Sequence, residues 1–322
     1  MIALARIADR GPWIAAALAA VLLLAALWIP ALMVSSGAAG LVLFASMFSM
    51  ACLIASAAVV AFVALRHGEM SALQVVGGCL LLLIVVSLAL YGTAAHIPLI
   101  ATIFWLPAIV SAFVLARTVK LEPAVLSIVV CGVLSVIVLA LVMGDTTAFW
   151  RSQFGDVGAG ATASLPKSAG NAPLITEEQR EEFIMAMANM MTAAMGLSVM
   201  TVALGALFAA RSWQAGLVNP GGFQKEFHAL SLGRNTAFIC VIIILLSLFA
   251  GGQVFGAIAI LVIFAFFIQG LAVAHALVKQ RGMHRFWLHG IYVMLMLPHT
   301  VLLLSALGLA DNMVKLRRTE EQ

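Results

Sequence analysis

Residues 13–29 read WIAAALAAVLLLAALWI, a run with no charged side chain. A hydrocarbon core of about 30 Å is crossed by roughly 20 apolar residues in a helix, so this run reads as membrane-spanning. Arg6 and Arg10 precede it in the manner of a signal peptide. No small-residue cleavage site followed by a soluble domain comes after it, and it is read as a first span. The rest of the chain is of the same kind. Of its 322 residues, 64% are hydrophobic and 9% charged, whereas about a quarter of a soluble domain is charged. Mean hydropathy is +1.15.

Further apolar runs cover residues 40–65, 70–91, 97–116, 123–143, 184–210, 236–250, 254–278 and 286–309. Lipid offers no partners for backbone N–H and C=O groups, and these runs lack the short alternating segments of a barrel. The expected class is therefore all-α: a polytopic transmembrane helical bundle of eight or nine spans, forming a single transmembrane domain over residues 1–322. This leaves no room for a soluble enzyme domain. Residues 144–176 are expected to form a flexible extracytoplasmic loop, rich in Gly, Ala, Ser and Pro. It ends at TEEQREEF, where Thr176 and Gln179 have the spacing of a capping box.

Lys and Arg set the orientation. A cytoplasmic N-terminus places Arg6, Arg10, Arg66, Arg117, Lys120, Arg211, Lys225, Arg234, Lys279, Arg281 and Arg285 inside, against Arg151, Lys167 and Arg180 outside. Nine full spans would put Lys315, Arg317 and Arg318 outside, against this bias. The alternative is a broken or re-entrant last run, hinged at Pro298 in LMLPHTVLL.

The net charge of +4 follows this distribution and is no nucleic-acid footprint. Cys52, Cys79, Cys131 and Cys240 lie in apolar runs without C-x-x-C spacing, so neither a disulfide nor a metal site is expected. No phosphate-binding loop, zinc-binding pair or nucleophile elbow is present; neither catalytic residues nor a cofactor are expected. Acids are expected outside the spans, which argues against ion-coupled transport.

Polar groups inside the spans are the candidates for a ligand. Gln269, His289, His299 and Asn189 are taken as ligand-binding, with Gln269, His289 and His299 expected to converge on one cavity. Each also has a plainer reading, an interhelical hydrogen bond. Met187, Met191 and Met195 share a helix face and are read as packing.

Residues 211–234 are expected to form a cytoplasmic amphipathic loop. Within it, Asn219, Pro220, Gly221 and Gly222 encode a tight turn. Phe223 and Phe227 then begin an apolar stripe beside Lys225, Glu226 and His228. Asn219 to Phe223 together with Phe227 are expected to be either an interfacial connector or a docking surface for a membrane or cytosolic protein.

The stretch RSWQAGLVNPGGFQKEF, with LRHG at 65–68, FFIQGLAVAHAL, and LGLAD followed by Arg317, resembles the YybS-like family of bacterial inner-membrane proteins, catalogued as a domain of unknown function. That family is distantly similar to the substrate-binding components of energy-coupling factor vitamin transporters. The resemblance implies a bacterial inner-membrane location and a helical bundle that holds a small molecule near its outer side and docks on a transmembrane coupling subunit. The small-residue row of Ala15 and Ala19 would be the contact. The leading expectation is a membrane-embedded binding protein for a small solute or lipid-like ligand. Its rival is a non-transporting adaptor or assembly factor that docks a partner through the NPGGF turn.

Overall fold

The computed structural model describes residues 2–35, 41–153, 177–284 and 286–317. Its helices are α1 (Ile2–Ala8), α2 (Pro12–Ser35), α3 (Val42–His67), α4 (Glu69–Tyr91), α5 (His96–Thr118), α6 (Leu121–Met143), α7 (Glu177–Val218), α8 (Gly222–Ala229), α9 (Arg234–Ala250), α10 (Gln253–Gln280), α11 (Phe286–Met294) and α12 (Pro298–Val314). Among the described residues there is no strand. Seven helices among the described residues are long and apolar enough to cross a membrane. Two bent pairs, α8 with α9 at 56° and α11 with α12 at 119°, raise the number to nine if each is one span. The all-α polytopic bundle expected from the apolar runs is the fold observed.

Two boundaries differ from expectation. Residues 211–218 are not loop but the end of α7, so the amphipathic segment is α8 alone. Residues 146–153 are helical. Residues 154–176 of the expected loop, including Thr176 of the capping box, lie outside the described residues. At 42 residues, α7 is about 63 Å long, twice what a bilayer core requires. Its charged first turns therefore stand beyond the apolar layer.

Packing at the N-terminal side rests on small side chains. Ala15, Ala16 and Ala19 are fully covered, which lets α2 approach α3 and α4 closely. The Ser56 hydroxyl donates to the Ala19 carbonyl at 2.7 Å and accepts from Trp105 Nε1 at 3.2 Å. Cys79 reaches the Ala16 carbonyl at 3.2 Å. The face on which Ala15 and Ala19 were expected to meet a coupling subunit is thus engaged inside the chain itself.

Charged contacts gather one end of the bundle. Asp9 meets Arg66 and His67 at 3.5 and 2.9 Å, and Arg117 grips Glu69 through two bonds of 2.7 and 2.8 Å. Arg211 pairs with Glu226, and Glu122 lies beside Gly233. The tail joins this basic end: Arg317 donates to the carbonyls of His228 and Leu230 at 2.6 and 2.9 Å. Of the two arrangements the sequence left open, the structure has the broken one, with α11 and α12 folding back so that Arg317 reaches the end that carries Arg66 and Arg117. The physical cause is Pro298, which supplies no backbone N–H and starts a new helix.

Candidate functional site

The reversal at NPGG builds the site. Gly221 sits at φ 87°, a left-handed conformation that costs glycine nothing sterically. The Gly222 N–H closes the turn on the Asn219 carbonyl at 3.0 Å. The chain then runs back beside α7 as α8. Phe223 and Phe227 pack against Phe208 of α7, tilted and edge-on, with ring centroids 5.8 and 5.5 Å apart, and Phe227 also meets His275 of α10 at 5.8 Å. These two aromatics were candidates for partner docking, but they face inward and hold α8 to the bundle. The apolar stripe that suggested a docking surface is its packing face. Of the partner-binding candidates, Asn219, Pro220 and Gly221 remain exposed.

Seating α8 this way brings Glu226 opposite Arg211. The guanidinium holds the carboxylate through both Nε, at 2.9 Å, and Nη2, while Nη1 donates to Gln214 Oε1 at 2.9 Å. Arg211 and Gln214 share a helix face, being three residues apart. Gln214 Nε2 in turn donates to the Leu65 carbonyl at 2.8 Å, and Trp213 behind them packs edge-on against Phe62 of α3. The three polar side chains face a half-open cavity of about 240 Å³, whose other walls are Leu65, Leu115, Ala116 and Val119.

Val119 stands at the lip of that cavity with φ 56°. Its N–H closes α5 on the Leu115 carbonyl, a task usually given to glycine. A β-branched side chain in the left-handed region costs roughly 1–2 kcal/mol. Strain of this kind is concentrated where a surface is shaped for use.

A second polar cluster lies inside the bundle. Gln269 is fully buried and its amide is engaged at both ends. Oε1 accepts from the Leu232 N–H at 3.0 Å, and Nε2 donates to Asp311 and Asn312 at 3.3 and 3.1 Å. Ser231 donates to Asn312 at 3.0 Å, and Asp311 is ion-paired with Arg317. This cluster satisfies the backbone groups freed where α8 breaks into α9, as a buried helix end requires. Asp311 brings a covered acid to this cluster: it lies in the last turn of α12, two residues past the final apolar run, and its side chain is only 4% exposed.

The ligand-binding candidates are therefore not brought together. Gln269 serves this internal cluster. His299 is exposed and lies about 18 Å along α12 from Asp311, at 1.5 Å per residue. His289 is exposed on α11, beyond the 119° bend. That bend is why the three do not form the single cavity expected of them. Asn189 is exposed at the opposite end of the bundle, where Thr147 donates to it at 3.3 Å and Gln253 reaches the Ala188 carbonyl at 2.7 Å. Among the described residues no group of three or more His, Cys, Asp or Glu could hold a metal ion.

No protein-family model matches the chain, and neither a curated protein nor a solved structure matches it.

Proposed function

We propose that this chain is a multi-pass protein of a bacterial inner membrane that binds a small solute or lipid-like ligand in the cavity at its basic end, acting as the specificity subunit of a transporter. That end faces the cytoplasm in this reading, because it gathers Arg66, Arg117, Arg211 and Lys279 and basic residues are retained on the cytoplasmic side. The observation that carries the proposal is the cavity itself. It has apolar walls, a few convergent polar groups and a strained residue at its lip, the features of a small-molecule site. The rival role as an adaptor has weaker support, since Phe223 and Phe227 pack inward. The resemblance to the YybS-like family also favours a bound small molecule, but near the outer side of the bundle, whereas this cavity lies at the basic end.

The test is native mass spectrometry of the protein released gently from its host membrane. A bound small mass is expected on the wild type, reduced at least ~10-fold in Arg211→Gln, a loss that corresponds to about 1.4 kcal/mol of binding. A bare wild-type protein, or an adduct that Arg211→Gln leaves unchanged, overturns the proposal.

A further inference from the structure

The cavity's electrostatics narrow the ligand. A guanidinium carries five N–H donors. Arg211 directs Nε–H and one Nη2–H to Glu226 and one Nη1–H to Gln214, which leaves the second N–H of each Nη. Each Glu226 oxygen accepts one of those bonds and keeps a further lone pair. Gln214 uses one amide N–H on Leu65 and retains the other. The site thus offers donors beside a cation and acceptors beside an anion, and the two charges sum to zero.

A ligand with net negative charge meets the Glu226 carboxylate, and one with net positive charge meets the guanidinium; juxtaposed like charges are unfavourable in either case. A ligand carrying both signs lies antiparallel to the Arg211–Glu226 pair, with its oxyanion on the guanidinium N–H groups and its ammonium on the carboxylate. Nothing in the existing pair has to break. Size agrees with this: about 240 Å³ is the volume of roughly eight water molecules at ~30 Å³ each, room for one small polar group. The methylenes that separate the charges have Leu65, Leu115 and Ala116 to lie against.

We infer that the cavity selects a small zwitterion in which a protonated amine and an oxyanion are a few bonds apart, as in an ethanolamine phosphate headgroup or a free amino acid. This inference rests on the reading of the cavity as a binding site.

The experiment uses the full-length protein, delipidated in detergent, with binding read by native mass spectrometry. The probes are phosphatidylethanolamine, phosphatidylglycerol, phosphatidylcholine, free phosphoethanolamine and free alanine. Phosphatidylglycerol lacks the ammonium, and phosphatidylcholine has a quaternary nitrogen with no N–H. Expected is at least ~10-fold preference for a probe with a primary amine over both of these lipids, and loss of that preference in Glu226→Gln. Preference for phosphatidylethanolamine assigns the source to the membrane; preference for phosphoethanolamine or alanine assigns it to a free solute. Phosphatidylglycerol or phosphatidylcholine binding as tightly as the amine probes overturns the inference while leaving the cavity a ligand site. The wild-type preference is measured without any variant, so instability of Glu226→Gln does not decide the outcome. If no probe binds and the native adduct is also absent, the reading of the cavity as a site fails first.

Discussion

Replacing Gly270 with alanine is expected to unseat α12 from α10. A Cβ on Gly270 would lie 1.8 Å from the Leu304 carbonyl oxygen, and one on Gly308 would lie 2.2 Å from the Phe266 carbonyl oxygen. The two helices therefore touch backbone to backbone at Gly270 and Gly308, an approach only the smallest residues permit. Because the obstructing atoms are main chain, no rotamer change relieves the clash, and the helices must separate along their whole contact. The cost is expected to reach at least ~3 kcal/mol, the upper range for overpacking. Gly132→Ala is the control: its Cβ would meet Met200 Cγ at 2.5 Å, but a methionine side chain can move aside, and a loss of about 1 kcal/mol is expected. Thermal unfolding of the purified variants in detergent reads both. Equal melting temperatures for Gly270→Ala and the wild type contradict the close crossing.

Asp311→Ala is expected to cost about 3–5 kcal/mol, the range for removing one partner of a buried ion pair. The side chains of Asp311 and Arg317 are 4% and 12% exposed, so truncating the acid leaves a guanidinium covered and unpaired. The effect extends beyond the pair, because the same arginine holds the His228 and Leu230 carbonyls and thereby the end of α8. Removing both partners together is expected to cost less than the sum of the two single changes. A double-mutant cycle on melting temperature checks this, with additive effects contradicting the pairing. A reactive cysteine placed at Gln224, on the exposed side of α8, is expected to label faster when α8 loosens in Asp311→Ala.

The spans were legible from sequence because a bilayer makes backbone satisfaction and apolarity nearly sufficient to fix helices. The clustering of basic residues was legible too: Arg66, Arg117 and Arg211, which charge alone placed on one side, pair with Asp9, Glu69 and Glu226 at one end of the bundle. The fate of the last apolar run depended on Pro298, visible as a hinge but not in the direction of its turn. Gln269 was correctly singled out as a buried polar group, yet its partners Leu232 and Asp311 lie 37 and 42 residues away in the chain, a separation no periodicity encodes. Asp311 was read only as part of the LGLAD tail just past the final apolar run, so its burial against Gln269 and Arg317 was not foreseen. Arg211 and Glu226 were noticed only as interfacial charges. The signal that could have joined them is their placement on either side of a Pro-Gly-Gly reversal, 15 residues apart, which turns the chain back on itself.

The most direct test of the binding cavity is an electron cryo-microscopy map of the protein held in a nanodisc of its own membrane lipids. Non-protein density is expected between Arg211, Gln214 and Glu226, within hydrogen-bond distance of the guanidinium and resting against Leu115 and Val119. A cavity that holds only water, or that Leu65 and Val119 close over, contradicts the proposal.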